Sequence, residues 1–188
     1  MLSLELTSDR WYALHVRSRH EKIVFAQLDA KQHNVFFPVY SARHKWADRW
    51  KTVLLPLFPG YVFCRFDVAK RSSVLTTSGV IGIVGAGTRP VPVETSEIEA
   101  IQWAVKSPLF TEPFPDLVRG QRVVMTGGPL TGLTGTLMEI RRNLRLVLSV
   151  ELLQRSVLVE IEREWVAVCE PVKSACHGFI SSSNTHVA

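Results

Sequence analysis

The chain has 188 residues, 46% of them hydrophobic and 21% charged, which is typical of one folded domain or two small ones and excludes wholesale disorder. Its longest apolar runs are too short to cross a bilayer, and its first ten residues include two acids in place of the basic start of a signal peptide. Three scattered cysteines without a CxxC or CxxH pair predict reduced thiols in a cytoplasm. We therefore predict no bound metal, no cofactor and no membrane partner.

The positive charge is concentrated near the N-terminus. The whole chain has a net charge of +5, yet residues 10–51 alone hold nine Lys/Arg against three Asp/Glu, so the remainder is nearly neutral. A basic region interleaved with Trp46 and Trp50 is typical of a surface that contacts a nucleic-acid backbone. The alternative is an ordinary solvated basic face.

The first predicted elements are a strand and a helix. The stretch "WYALHVR" (11–17) alternates between two sets of residues and predicts a strand. Ser18 and Glu21 have the spacing of a capping box, and the apolar residues that follow have a helical period. We expect a helix over residues 20–32.

A second strand and a hairpin follow. Residues 34–46 predict a strand that leads into a hairpin with a basic, Trp-bearing tip, and the return strand contains "YVFCRF" (61–66). Asp67 is placed to cap a short helix over residues 69–77. The glycine-rich stretch 79–93 predicts a strand, a turn and a brief extended piece.

A last helix precedes a change of pattern. Ser96 and Glu99 repeat the capping-box spacing, and the apolar period predicts a helix that ends near Lys106. Three prolines in eight residues then predict an extended linker over 108–118.

Beyond the linker, five short strands in about fifty residues predict a small closed β-barrel over 119–172. The Ser-rich tail, residues 173–188, is predicted to be disordered. One strand alternates strictly, with apolar residues at Leu144, Leu146, Leu148, Val150 and Leu152.

The order βαββαβα, then linker and barrel, predicts an α+β protein whose first domain (1–107) is ferredoxin-like, with helices on one face of the sheet. Alternation places Tyr61 and Phe63 on the same face of their strand. If Trp11 and His15 share that face, it is an uncovered apolar patch and marks a binding surface. The alternative is that the hairpin folds over these rings.

Two stretches carry a resemblance to a known family. "LFPGYVF" (57–63), followed by "GQRVVMTGGPLTGLTGTL" (120–137), resembles the NusG family of transcription elongation factors, and the likeness extends over about residues 11–172. The second stretch matches the KOW pattern, in which glycines permit positive φ in tight barrel turns and a proline fixes one corner. The matching positions are Gly120, Val123, Gly128, Pro129, Gly132 and Gly135.

The resemblance implies a site on the first domain. Family members bind RNA polymerase through an apolar concavity that receives the clamp helices of the β′ subunit. The aromatic residues of the FPxYxF strand line this concavity, which here implies Tyr61 and Phe63, with Trp11 and His15 from the first strand.

Two further contacts are implied. The short helix after this strand contacts the gate loop of the β subunit, at Arg71, Ser72 and Ser73, where specialised RfaH-like members have His-Thr-Thr. Non-template DNA passes the hairpin tip, and the alternative for the two tryptophans there is partial burial against the domain. The implied DNA contacts are Arg43, His44, Lys45, Trp46, Arg49 and Trp50.

In the barrel, "SVELLQRSVLVEI" (149–161) resembles the family segment that binds the ribosomal protein NusE or the termination factor Rho. The implied contacts are Leu152, Leu153 and Arg155. Because Leu152 belongs to the alternating set, Leu153 is expected to be the exposed member of the pair. The alternative is that both leucines are barrel core.

Two branches of the family are open. The opening residues 19–40, the Trp-rich hairpin and "TTSGVIGIVGAG" (76–87) favour a specialised UpxY/RfaH-like paralogue, a monomer that suppresses pausing or termination in particular operons. The alternative is the general NusG factor, which assists Rho and couples transcription to translation.

Other classes fit less well. The chain lacks HExxH, GxSxG and P-loop motifs, and its glycines at 82, 85 and 87 have the wrong spacing for a dinucleotide loop, so we predict no enzyme and no catalytic residues. A ribosome- or RNA-binding KOW protein is a further alternative. It leaves the Tyr61/Phe63 face unexplained, and residues 116–188 carry a net charge of only +1.

Overall fold

The computed structural model describes residues 9–46, 49–114, 120–140 and 143–168. The helices are α1 (Glu21–Ala30), α2 (Ser72–Leu75) and α3 (Thr95–Lys106). The strands before α3 are β1 (Arg10–Val16), β2 (Asn34–Phe36), β3 (Val39–Trp46), β4 (Arg49–Pro56), β5 (Tyr61–Phe66), β6 (Val80–Ile83), β7 (Gly85–Ala86) and β8 (Arg89–Pro90). Those after it are β9 (Thr111–Phe114), β10 (Gln121–Met125), β11 (Thr134–Ile140), β12 (Asn143–Val150), β13 (Arg155–Ile161) and β14 (Val166–Val168). The predicted mixture of helices and strands is confirmed.

Four antiparallel strands, in the order β2-β5-β1-β6, form the N-terminal sheet. One of its faces packs against α1 and α2, around Leu14, Val62, Leu28 and Val74. Cys64 belongs to this cluster, and burial raises the pKa of its thiol to about 12, so the thiol is protonated and unreactive at neutral pH.

The second predicted strand is in fact two. β2 belongs to the N-terminal sheet, whereas β3 pairs only with β4 among the described residues and forms a separate two-stranded hairpin. The break falls at Pro38, which lacks the N–H that a continuous ladder needs and whose carbonyl accepts from the Leu57 N–H at 3.0 Å.

Both capping-box predictions are wrong. The residue before α1 is His20, because Arg19 takes a left-handed conformation (φ 63°) that separates Ser18 from the helix. The residue before α3 is Glu94, so Ser96 already lies within that helix. The end of α3 at Lys106 is as predicted, and the Asp67 carboxylate accepts from the Ala69 N–H at 2.9 Å, as predicted.

Six antiparallel strands, in the order β14-β10-β11-β12-β13-β9, form the C-terminal sheet. Its β12 alternates as predicted up to Val150 and then gives way to a 3₁₀ turn at Glu151–Leu153. Leu152 is therefore not part of the strand. The turn reverses the expected exposure, because Leu153 is 9% exposed and buried, whereas Leu152 is half-buried.

The KOW glycines act in two different ways. Gly128 and Gly132 have φ of +72° and +91°, as predicted for tight turns. Gly128 also lies against the indole of Trp165, where an added Cβ would come within 2.6 Å of the ring.

The predicted linker contributes a strand. Within it, β9 pairs with β13 through Glu112 opposite Leu158, and the Phe110 carbonyl accepts from the Glu160 N–H at 2.9 Å. Pro113 fits this position because β9 is the last strand of the sheet. Residues 115–119 and the tail from 169 onward lie outside the described residues.

Candidate functional site

The aromatic residues of β1 and β5 meet on one face of the N-terminal sheet. The strand register pairs His15 with Tyr61 and Ala13 with Phe63, and directly opposed residues share a face. The predicted grouping of these side chains therefore follows from the strand register. We call this surface the ring face; its residues are Trp11, Ala13, His15, Tyr61 and Phe63.

Exposure divides the ring face into a covered centre and an open rim. Phe63 is 0% exposed and Trp11 is 5% exposed. At the rim, His15 is exposed and Tyr61 is half-buried, with their ring centroids 5.6 Å apart. The expectation of an uncovered face is thus wrong for its centre.

Two elements bury the centre of the ring face. The chain before β5 contributes Phe58, whose ring meets Phe63 edge-on at 5.4 Å. The helix α3 contributes Ile98 and Ile101, which belong to the same apolar cluster. That cluster continues without interruption into the core of the C-terminal sheet and includes Leu153. Of the described helices, α1 and α2 lie on the face opposite the rings and α3 lies on the ring side, unlike the predicted arrangement with all helices on one face.

Arg155, at the start of β13, joins the C-terminal sheet to the rim. Its guanidinium donates to the Pro59 carbonyl at 3.3 Å and lies 5.3 Å from the centroid of the Tyr61 ring. A cation over a tyrosine ring is attracted by the negative π face. Residues predicted for two different partners, Arg155 and Tyr61, are therefore in contact with each other.

A second contact joins α3 to the turn after β12. The Glu151 N–H donates to Oε1 of Glu97 at 3.1 Å. Burial raises the pKa of the Glu97 carboxyl above its usual value, and the negative charge of Glu151 acts in the same direction. Sequence reasoning missed both glutamates, because neither has a motif that signals a contact between distant segments.

The turn that starts β5 is anchored by a buried carboxylate. Gly60 takes φ +85°, and its N–H donates to Oε1 of Glu21 at 2.9 Å. Glu21 is 7% exposed, and the Gly60 carbonyl accepts from the Val16 N–H at 2.9 Å. Glu21, predicted as a capping residue of its own helix, instead fixes the position from which Tyr61 extends.

The predicted DNA-contact residues all lie on the β3–β4 hairpin. Trp50 is 61% exposed, so the alternative of a buried tryptophan is wrong for this residue. The Arg43 guanidinium lies 5.8 Å from the centroid of the Trp50 ring, and Arg49 is exposed. The side chains of His44, Lys45 and Trp46 lie outside the described part of the structure.

The predicted gate-loop residues lie at the start of α2 and are exposed. Ser73 is held by two contacts: its hydroxyl lies 3.0 Å from Nε2 of His33, and its carbonyl accepts from Nζ of Lys31 at 2.9 Å. Because α2 packs through Val74 on the opposite face of the sheet from the rings, these residues and the ring face form separate surfaces.

Within the described ranges, no group of three or more His, Cys, Asp and Glu residues could hold a metal ion. None of the helices in this part of the chain is long and apolar enough to cross a membrane.

Comparison with known proteins identifies the family of this chain. The family model described as "Transcription termination factor nusG" matches residues 9–102, which contain the whole N-terminal sheet and most of α3. The chain belongs to the NusG family of transcription termination/antitermination factors.

Individual relatives agree with this assignment. The transcription termination/antitermination protein NusG of Deinococcus radiodurans is 28% identical over 188 residues, covering 85% of this chain and 99% of the relative. The protein of the same name from Staphylococcus aureus is 28% identical over 178 residues, covering 86% and 96%. These relatives are transcription factors and not enzymes.

A solved structure shares the fold. The structure titled "Domain interaction in Thermotoga maritima NusG" matches with a TM-score of 0.54 at 22% identity, over 86% of this chain and 98% of that chain. At this identity the likeness concerns the fold alone.

Proposed function

We propose that this chain is a transcription elongation and antitermination factor that binds the β′ clamp helices of RNA polymerase through its ring face. The observation that supports this is the open rim of the ring face, where the rings of His15 and Tyr61 lie side by side and Arg155 of the C-terminal sheet lies over Tyr61. Rings at such a rim are placed to bind a helical partner when Arg155 moves away.

The division of the chain into two domains joined by a linker is also part of this proposal. Residues 1–107 form a ferredoxin-like polymerase-binding domain, and residues 119–172 form an SH3-like KOW barrel joined to it by the segment 108–118. The four antiparallel strands with α1 and α2 on one face support the first part. The six-stranded antiparallel sheet with a continuous apolar core supports the second.

The described arrangement is a closed state of the factor. Arg155 lies over Tyr61 at the rim of the ring face, so polymerase binding at this rim requires the KOW domain to leave. The same departure frees Leu152, Leu153 and Arg155 for NusE or Rho. Because both partners bind only the open state, each favours the binding of the other.

Two other contacts complete the proposed complex. The exposed residues Arg71, Ser72 and Ser73 meet the β-subunit gate loop, and the basic β3–β4 hairpin contacts non-template DNA. The factor acts as a monomer in the cytoplasm.

The branch of the family is a further part of the proposal. We place the chain in the specialised UpxY/RfaH-like branch, on the hairpin and the glycine-rich stretch described above. The names of its relatives favour the general factor as the second candidate. Read-through at intrinsic and Rho-dependent terminators separates the two: a specialised factor suppresses termination on selected templates only, whereas a general factor acts on all and enhances Rho.

Binding to purified RNA polymerase tests the central proposal with the full chain. Tyr61→Ala removes a half-buried rim ring and is expected to weaken binding. Arg155→Ala removes the contacts to Pro59 and Tyr61 without touching the proposed polymerase site, so it is expected to strengthen binding about five- to tenfold by favouring the open state.

The matched control is Arg163→Ala, which removes the same charge from an exposed position in the 3₁₀ turn at Arg163–Trp165. It is expected to leave binding unchanged. Unaltered binding by a folded Tyr61→Ala variant, with Arg155→Ala no different from Arg163→Ala, would overturn the proposal.

A further inference from the structure

A cleft of about 820 Å³ lies between α3 and the C-terminal sheet. One wall is a side of α3 that bears Glu97, Glu99 and Trp103, and the other is formed by residues of β10, β11 and β12 together with Glu151. We call this space the α3 cleft. Because its walls come from both halves of the chain, it is complete only in the closed arrangement described above.

The α3 cleft is acidic although the chain as a whole is basic. Among the described residues that line it, Glu97, Glu99 and Glu151 are acids and Arg122 is a base, a formal balance of −2 in a chain of net charge +5. Burial and the nearby charge of Glu151 raise the pKa of the Glu97 carboxyl, and a cation brought close to both carboxylates relieves this repulsion. A cationic partner is therefore attracted to the cleft.

Trp103 adds an apolar contact to this acidic wall. Its side chain is 50% exposed, whereas Ile101 and Ala104 on the other side of α3 are fully buried. Trp103 follows Glu99 by four residues, so the indole and the carboxylate are neighbours on the helix surface. An indole beside a carboxylate is suited to a partner that carries both cations and an aromatic ring.

The β3–β4 hairpin has the complementary chemistry. Its two strands contain four Lys/Arg and no Asp/Glu. The register places Arg43 opposite Thr52, so both share a side with Trp50 and Leu54, and all four side chains are exposed. The Arg43 guanidinium lies 5.8 Å from the centroid of the Trp50 ring, so this side presents a cation and an indole together.

The hairpin and the cleft of one copy are separate surfaces. None of the described residues of β3 and β4 lines the α3 cleft of its own copy. A hairpin that occupies the cleft therefore comes from another copy of the chain. Since the contact joins two unlike surfaces, it gives either a reciprocal pair of copies or a head-to-tail series.

We propose that the free factor self-associates by placing the β3–β4 hairpin of one copy in the α3 cleft of a second copy. The cations of the hairpin meet the acidic wall, Arg43 approaches Glu99, and Trp50 packs against Trp103. This inference goes beyond the proposed function, in which the polymerase-bound factor is a monomer, and concerns the factor before it meets polymerase. Because the cleft is complete only in the closed arrangement, association also favours closure.

Analytical ultracentrifugation of the full chain tests this, at concentrations from about 1 to 100 µM and in about 50 mM and 500 mM salt. The average mass is expected to rise with concentration in low salt and to return to that of one chain in high salt, which screens the charges. Glu99→Lys and Arg43→Glu are each expected to weaken association at least about tenfold, because each places like charges opposite one another.

Mixing the two variants is the decisive measurement. In an equimolar mixture, the unaltered hairpin of the Glu99→Lys variant meets the unaltered cleft of the Arg43→Glu variant, so association is expected to return although neither variant associates alone. Recovery on mixing also shows that both variants are folded. The matched controls are Glu164→Lys and Arg163→Glu, the same charge reversals at exposed positions of a turn that does not line the cleft, and both are expected to associate as the unaltered chain does.

Three results would overturn the proposal. The first is the mass of one chain at every concentration in low salt. The second is association that the controls weaken as much as Glu99→Lys and Arg43→Glu do, which would indicate an effect of net charge alone. The third is a mixture of the two variants that associates no better than either variant alone.

Discussion

The ring face and the β3–β4 hairpin both carry aromatic side chains on antiparallel strands and end in opposite environments. On the ring face several rings share one side, whereas on the hairpin Trp50 shares its side with Thr52 and Leu54. Phe63 is nevertheless 0% exposed, whereas Trp50 is 61% exposed. The difference is what covers them: α3 and Phe58 pack over Phe63 in one apolar cluster, whereas Trp50, Thr52 and Leu54 of the hairpin are exposed.

This comparison shows that an aromatic strand has no fixed role. On the ring face the same side chains contribute to stability in the closed state and to binding in the proposed open state. On the hairpin they contribute little to stability. Substitutions that separate these two contributions therefore test the comparison directly.

The largest expected effect is on stability. Phe63→Ala leaves a cavity between Phe58 and Phe36 and is expected to lower the free energy of unfolding by about 3–5 kcal/mol. Trp50→Ala, the matched change on the hairpin, is expected to stay within about 0.5 kcal/mol. Urea unfolding followed by circular dichroism measures both. A Trp50→Ala variant as unstable as Phe63→Ala would contradict the contrast between the two faces.

A smaller effect is expected at the turn that orients the ring face. Glu21→Ala removes the carboxylate that accepts from the Gly60 N–H, and the partly buried donor left behind is expected to cost about 1–2 kcal/mol. Lys22→Ala, next to it and exposed, is the control and is expected to be nearly neutral. The same urea experiment measures both, and equal stability of the two variants would show that the turn does not need its anchor.

The smallest effect concerns pH. Because the Glu97 pKa is raised in the closed state, that state binds the proton more tightly than an open or unfolded state, in which the carboxyl is solvated. The contribution of Glu97 to closure is therefore fully present below the ordinary carboxyl pKa and is lost as the pH rises through the raised value. Glu97→Gln keeps an acceptor for the Glu151 N–H and removes the charge.

Hydrogen exchange of the Glu151 amide, whose N–H donates across the junction to Glu97, is measured from about pH 4 to 7, corrected for the intrinsic rate, and follows this closure. The unaltered chain is expected to lose protection as the pH rises, and the Glu97→Gln variant is expected to lose less. The same pH dependence in both chains would exclude Glu97 as its source.

Much of the local structure follows from the sequence. The end of α3 at Lys106 and the cap by Asp67 depend on neighbouring residues, and the structure agrees with both predictions. The capping-box prediction for α1 was wrong for a local reason. Arg19 has a left-handed conformation that separates Ser18 from the helix, and an arginine gives little sequence signal of such a conformation.

The cover of the ring face does not follow from the sequence in the same way. Alternation identifies which side chains of β1 and β5 share a face, but not what lies over that face. Leu153 was misjudged for the same reason, because the 3₁₀ turn at Glu151–Leu153 ends the alternation and places this leucine toward the apolar cluster.

The sequence by itself determined the family, the order of α1, α2 and α3, and the grouping of Tyr61, Phe63, Trp11 and His15, because periodicity and turn residues act over a few neighbouring positions. It did not determine the number of strands, since the second predicted strand is divided into β2 and β3 and the predicted linker contains β9. Only the tertiary structure decided that Arg155 lies over Tyr61 and that Glu97 accepts from Glu151. Such contacts join segments more than fifty residues apart, and they form because burying apolar surface brings the two sheets together, which no local pattern encodes.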